Sequence, residues 1–258
     1  MNKSITTSVS DYEYLRKHRA IWQKKKVLRQ LYIEQFYRRI LDNRASGGKT
    51  LEIGSGPGFM SEIDPSIWRT DVLPSPWIHG AVDAHHLPIG NQSLDNVIGL
   101  DVLHHFEHPV TFLKEVVRVL RPGGRLVLVE PWITPFSRFI YTYLHQEGCD
   151  MSLTPWLDAV TSFSKEKKAF DGNATIPYLL INRGQQTLQE VVPELRQVKI
   201  ERFSLFTYLL SLGFKAGSLL PEAAYAPFYE FEKVTYPLWN KLAALRALII
   251  WECRPLSP

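Results

Sequence analysis

The chain has 258 residues, 45% of them apolar, and a formal net charge of +4. This suits one α/β domain with added elements and excludes a disordered chain. Two cysteines, Cys149 and Cys253, make neither a disulfide framework nor a metal knuckle, which fits a reducing cytoplasm. The polar N-terminus lacks the apolar run of a secretory signal, and no apolar stretch reaches the length of a membrane span. In chain order, residues 10–43 predict helix, with Ile21, Leu28, Leu31, Tyr32, Phe36, Ile40 and Leu41 at helical spacing. Residues 16–49 also gather eleven Lys and Arg side chains, either a solvated face or a surface for nucleic acid, anionic lipid or an acidic substrate. Strands are predicted at Thr50–Ile53, Ile67–Val72, Asn96–Leu100 and Arg125–Glu130, with a helix over Pro109–Leu120 closed by Arg121-Pro122-Gly123-Gly124. Past Glu130 the pattern gives a helix at Ile133–Gln146, irregular chain over 147–185 and a helix at Thr187–Leu195. A strand-like run at Val198–Leu210, an aromatic helical stretch at Gly213–Asn240 and a last strand at Ala247–Cys253 complete it. Strands alternating with helices imply a mostly parallel sheet, with ligands at the strand C-termini.

The first strand runs into Gly54-Ser55-Gly56-Pro57-Gly58. Such a turn lets backbone approach a ligand and points N–H groups at an anion. The dinucleotide fingerprint needs its third glycine one residue later, where this chain has Phe59, which argues against a nicotinamide or flavin enzyme. Glu52-Ile53-Gly54-Ser55-Gly56-Pro57-Gly58 instead resembles motif I of the class I methyltransferases. Val82-Asp83-Ala84-His85-His86-Leu87-Pro88, then Ser93 through Phe106, then Glu115-Val116-Val117-Arg118-Val119-Leu120-Arg121-Pro122-Gly123-Gly124 resemble the next three motifs in order. Together they resemble the UbiE-like methyltransferase type 11 set, and the resemblance covers residues 49–131.

The resemblance implies a Rossmann-like class I methyltransferase fold: a mostly parallel seven-stranded sheet with an antiparallel last strand, an N-terminal helix and C-terminal helical insertions. Residues 1–45 would form an N-terminal cap, 46–131 the cofactor half and 132–258 the rest of the sheet with substrate-cap insertions. It implies S-adenosyl-L-methionine as cofactor and S-adenosyl-L-homocysteine as product. Glu52, Gly54, Ser55, Gly56, Gly58 and Leu100 would line the cofactor site, Asp71 would grip the ribose, with Asp64 its rival, and Asp83 and Ala84 would meet the adenine. Only short helices or loops fit between Gly58 and Asp71 and between Asp71 and Asp83.

His104 and His105 follow the fourth strand and are candidate bases, His104 the favoured one, with Glu130 next. Because a sulfonium is already activated, positioning is expected to supply most of the rate. Tyr12, Trp22, Trp132, Tyr141 and His145 are candidate acceptor-binding residues. No metal is expected, since no carboxylate or cysteine completes a ligand set with His85-His86 or His104-His105-x-x-His108 at a known spacing. The acceptor is expected to be a small molecule, lipophilic or anionic. RNA or protein as acceptor, or an inactive methyltransferase-like subunit, are the alternatives. A cytoplasmic monomer or homodimer, with or without peripheral membrane or lipid contact by the aromatic tail, completes the expectation.

Overall fold

The computed structural model describes residues 9–45, 48–144, 147–157 and 170–254. Helices α1 (Val9–Lys24) and α2 (Lys26–Leu31) open the chain, followed by a π-helical stretch at Tyr32–Tyr37 and α3 (Arg38–Asp42). The single helix expected over 10–43 is therefore broken. Lys25, at φ −100° and ψ 84°, leaves helical geometry, and the π stretch turns Tyr32, Gln35, Phe36 and Tyr37 inward together.

Strand β1 (Thr50–Ile53) is followed by β2 (Trp68–Asp71), β3 (Gly80–Ala81) and β4 (Leu94–Leu100). As the spacing required, only a 3-10 turn at Phe59–Glu62 separates β1 from β2. Helix α4 (Pro109–Val119) buries Val110, Phe112, Leu113, Val116 and Val119 and leads into β5 (Leu120–Pro131). The glycine pair that was expected to stop α4 lies inside β5, with Gly123 at φ 82° beside an irregularity in the β4 pairing.

Helix α5 (Pro135–Tyr143) starts on a reciprocal cap, Thr134 Oγ1 accepting from the Ser137 amide and Ser137 Oγ from the Thr134 amide. The region expected to be irregular contains α6 (Ile176–Asn182), which exists because Ile176, Leu179, Leu180 and Ile181 are buried against the sheet. Next come α7 (Gln185–Val191), β6 (Leu195–Phe203), α8 (Phe206–Ser211), α9 (Glu222–Ala243) and β7 (Arg246–Cys253). The strand-like run at 198–210 is thus half strand and half helix. Ser204, at φ 63°, ends the strand, and the buried Glu232 carboxylate accepts from the Leu205 and Thr207 amides at the start of α8.

The sheet order is β3-β2-β1-β4-β5-β7-β6, parallel except that β7 runs antiparallel to both β5 and β6. Two cores flank it. One packs α4 and α6 on one face. The other packs the N-terminal helices together with Phe203, Leu220 and Tyr225 on the opposite face. Among the described residues no helix is long and apolar enough to cross a membrane. Helix α9 nevertheless exposes Phe231, Val234, Leu238 and Leu242 at helical spacing.

Candidate active site

Two groups of side chains converge at the edge of the sheet where the parallel strands end and β7 begins. The first belongs to β1, β2 and β3. Past Ile53 the backbone takes left-handed conformations at Gly54, Gly56 and Gly58. A Cβ on Gly54 would lie 2.5 Å from a Val102 methyl, and one on Gly58 the same distance from the Trp77 carbonyl, so neither position admits a side chain. Gly56 differs: its nearest neighbour would be a Leu15 methyl at 3.9 Å, under α1. Helix α1 is fastened over this turn. Arg19 Nη1 donates to the Pro57 carbonyl at 2.7 Å, Trp22 stacks on Phe59 at 4.2 Å, and Tyr12 stacks on Trp77 at 5.9 Å.

Asp71 ends β2, and its carboxylate accepts from the amides of Gly56 at 2.7 Å and Leu73 at 2.8 Å. Burial raises its pKa. Its rival Asp64 lies off the strands, bonded to Ser66 and Arg44. Glu52 is buried, one of its oxygens has no hydrogen-bond partner, and burial pushes its pKa to about 7, against the opposing pull of Ser55 and Arg69. Asp83, past β3, is half exposed. It accepts from the His85 amide at 2.9 Å and lies 2.7 Å from His85 Nδ1. The Glu115/Arg118 signature of the fourth motif is a clamp on this loop. Glu115 accepts from the Leu87 amide at 2.6 Å, and Arg118 bonds Glu115 and the carbonyls of Leu87 and Ile89.

The second group lies at the ends of β4, β5 and β7. Asp101, at φ 55°, is ion-paired with the buried Arg246, whose Nη2 donates to Tyr208 Oη at 2.8 Å and whose buried Nε has no partner. Burial lifts the Asp101 pKa to about 6 despite Arg246. Tyr32 and Tyr141 are buried here, Tyr141 donating to the Leu245 carbonyl at 2.5 Å. Tyr14 packs on Phe170 and His18, and His18 stacks on Phe214 at 4.4 Å.

The structure reorders the expected bases. His104 is buried with Nδ1 2.7 Å from Glu130 and Nε2 3.1 Å from Glu147. Burial alone would lower its pKa, but Glu147 and Glu130 overcome this and hold it up at about 10. Both ring nitrogens face carboxylates, so this arrangement does not favour His104 as a proton acceptor. Nor is Glu130 placed to act. It is wholly buried and accepts from the Val102 and Leu103 amides as well as bonding His104, which ties the β4 loop to β5. His105 is the opposite case. Burial and the His104 charge lower its pKa to about 4, and Nδ1 lies 3.1 Å from the Asp171 carbonyl. A carbonyl only accepts, so the proton sits on Nδ1 and the lone pair on Nε2.

Of the expected acceptor residues, Tyr12 lies over the glycine turn and Tyr141 lies in the second group. Trp22 is a core side chain wedged between Phe59, Tyr32 and Tyr37 and bonded to Glu62. Trp132 is likewise core, edge-on to Tyr178. His145 lies outside the described residues. Sequence reasoning missed Asp101, Glu147, Tyr208 and Arg246. Only Asp101 carried a signal, an acid at the end of a strand. The basic cluster is largely engaged within the chain: Lys25 donates to the Gly213 carbonyl at 2.7 Å, and Arg29, Arg39 and Arg44 pair with Glu62, Glu201 and Asp64.

Comparison with known proteins bears on the fold and on residues 51–128. Residues 51–128 match the family model described as "Methyltransferase domain". Phthiotriol/phenolphthiotriol dimycocerosates methyltransferase of Mycobacterium leprae is 50% identical over 48 residues, 19% of this chain and 18% of that protein. The mitochondrial ubiquinone biosynthesis O-methyltransferase of Schizosaccharomyces pombe is 32% identical over 109 residues, 33% of this chain and 39% of that protein. The chain therefore spans well under half the length of these curated relatives. A crystal structure of a SAM-dependent methyltransferase from Archaeoglobus fulgidus superposes with a TM-score of 0.51 at 17% identity, covering 90% of this chain and 98% of that one, a likeness of fold.

Proposed function

We propose that this chain, which carries the methyltransferase domain in residues 51–128 and has the class I methyltransferase fold, transfers a methyl group from S-adenosyl-L-methionine to a lipophilic small molecule bearing a polar group. The observation that carries the reading is the placement of Glu52, the glycine turn, Asp71 and Asp83 at adjoining strand ends. The residues suit the cofactor. Glu52 offers a buried oxygen without a partner, Gly56 leaves space beside the turn, Asp71 ends β2 and Asp83 follows β3. Asp71 would hold the ribose hydroxyls, Asp83 and Ala84 the adenine, and Glu52 with Gly54, Gly56 and Leu100 the remainder.

The cofactor supplies a methyl group on a sulfonium, so the chain's own residues mainly orient the acceptor and exclude water. Helix α1, with Leu15 nearest Gly56 and Tyr12 stacked on Trp77, would do the excluding beside the glycine turn. Tyr14, Phe170 and Phe214 offer aromatic surface, while Arg246 and Tyr208 offer a polar anchor. Asp101 would take a proton from an acceptor hydroxyl, so turnover should rise with pH through about 6 as it ionises. The names of the mycobacterial and ubiquinone-biosynthesis relatives support a lipophilic acceptor, and the apolar stripe on α9 would suit contact with a lipid surface holding one.

The test is calorimetry of the purified chain with S-adenosylhomocysteine, followed by turnover on a panel of lipophilic alcohols and phenols. Saturable binding and methylation of a panel member are expected. A chain that binds no cofactor contradicts the reading outright, and one that binds it yet methylates only RNA or protein corrects the acceptor class.

A further inference from the structure

The histidine pair after β4 lacks a ligating partner along the sequence, but the fold supplies one. Glu147, on the segment after α5, brings a carboxylate oxygen to 3.1 Å from His104 Nε2. A ring nitrogen of His104, a ring nitrogen of His105 and a Glu147 oxygen all lie within 4.8 Å of one another. Tetrahedral ligands about 2.0–2.1 Å from a zinc ion lie roughly 3.3 Å apart. The His104–Glu147 distance is already that of one edge of such a tetrahedron.

The surroundings match a ligand set as well. A metal-bound histidine almost always donates its other ring N–H to a carboxylate or a backbone carbonyl, which fixes tautomer and ring orientation. His104 has Glu130 at Nδ1, 2.7 Å away, and His105 has the Asp171 carbonyl at Nδ1, 3.1 Å away. Glu130 is itself held by the amides of Val102 and Leu103, so this outer support is rigid. The Asn173 amide donates to the His104 carbonyl at 2.9 Å, fixing the segment that follows Asp171 against the pair. A second cluster, Asp101, His104 and Glu130, meets the same distance condition. It is the weaker set, because Asp101 is paired with Arg246 and Glu130 already serves two amides and an imidazole.

We propose that His104, His105 and Glu147 bind one divalent first-row transition-metal ion of the zinc class, with Glu130 and the Asp171 carbonyl as its outer support. Two imidazoles and a single carboxylate favour such an ion over magnesium, which prefers oxygen ligands. The ion takes the place of the Nε2 proton that His104 shares with Glu147, and that proton leaves to solvent. Three protein ligands keep a fourth position for water or another small oxygen ligand, as in catalytic rather than structural zinc sites. On the methyl-transfer reading, an acceptor hydroxyl bound there would have its pKa lowered. That consequence rests on that reading, whereas the site itself does not.

The test uses the full chain, stripped with a chelator and titrated with zinc chloride by calorimetry, with cobalt(II) as an optical probe and magnesium chloride as control. One zinc per chain is expected, with visible cobalt bands of four-coordinate intensity and no comparable magnesium uptake. His105→Ala and Glu147→Gln should each weaken zinc binding at least a hundredfold while circular dichroism and thermal melting show the fold kept. Both residues are only partly buried, and these two variants avoid disturbing the buried His104 and Glu130. Absence of saturable zinc uptake, or uptake that survives both variants, overturns the proposal. Binding of S-adenosylhomocysteine measured on the same preparations keeps the two readings apart: zinc bound without cofactor leaves the metal site standing and the methyl-transfer reading contradicted.

Discussion

The two groups of residues at the strand ends are built by different means. At β1, β2 and β3 the site is mostly backbone: three left-handed glycines, amides turned toward Asp71, and a loop pinned by Glu115 and Arg118. At β4, β5 and β7 it is side chains brought together from distant parts of the chain: Asp101 with Arg246, His104 with Glu147, Tyr32 with Tyr208. A backbone-built site leaves a mark in the sequence, because only particular residues in consecutive positions permit it. A site built from distant side chains leaves no such mark, since its residues are ordinary until the fold joins them. The difference is also energetic. The second end holds several buried charges, each of which relies on a partner for its stability.

The largest effect should come from breaking that reliance. Arg246→Leu removes the buried guanidinium from Asp101 and Tyr208 and leaves the partly buried Asp101 carboxylate without its ion-pair partner. Loss of one partner of a buried pair typically costs about 3–5 kcal/mol, and urea unfolding should show a loss of that order. Arg246→Leu combined with Asp101→Asn should recover more than half of it. Were the double variant no more stable than the single, Arg246 would owe its place to packing and the contrast between the two ends would fail.

Gly56→Val strikes the other end. It places a branched side chain at a left-handed position under Leu15. It should weaken S-adenosylhomocysteine binding at least a hundredfold, about 2.7 kcal/mol, with little change in the acceptor half. Calorimetry beside circular dichroism separates the two, and wild-type affinity in a folded variant would remove the glycine turn from the cofactor site.

How much could be read in advance follows from the same contrast. The turn after Ile53, the acid ending β2 and the loop at Asp83 were legible because each is a local pattern at the end of a strand. The missing helix between Gly58 and Asp71 was legible from spacing alone. Helix α6 was hidden because flanking Pro, Gly and Asn residues outweighed its short apolar run. The break at Ser204 was hidden because it depends on Glu232, on a distant helix. His104 read as a base because sequence gives no hint that two glutamates surround it.

Glu52 gives a third, smaller effect with a defined pH dependence. Its folded pKa, about 7, is above the ordinary carboxylate value. Between roughly pH 4.5 and 7 the folded state therefore holds the proton that the unfolded chain has released. Stability falls as pH rises through that window, and the cost is fully present above it. At 1.36 kcal/mol per unit the cost is at most about 3 kcal/mol, and a buried glutamine retains part of it by leaving an amide unpaired. Glu52→Gln should then raise the stability of the cofactor-free chain by about 1–2 kcal/mol at pH 8 and hardly at pH 4.5, while weakening cofactor binding. Urea titrations at the two pH values check this, and an equal gain at both would place the cost in something other than ionisation.

The smallest effects test how the N-terminal helices are fastened across the two ends, and adjacent lysines provide the comparison. Lys25 is partly buried, and its ammonium donates to the carbonyls of Gly213 at 2.7 Å and Lys215 at 3.1 Å, joining the α1–α2 break to the segment after α8. Lys26 meets Glu222 at 3.4 Å, with both side chains more than half exposed. A pair of hydrogen bonds from one partly buried charged donor is worth more than an exposed ion pair, because removing the donor also leaves a part-buried carbonyl without it. Lys25→Met should therefore cost about 1 kcal/mol and loosen α1 over the glycine turn, seen as faster amide exchange in residues 10–24. Lys26→Met should cost less than about 0.5 kcal/mol, fading further in salt. If the two substitutions prove equal, the basic stretch acts only as a solvated face, and α1 is held over the glycine turn by Trp22, Leu15 and Arg19 without it.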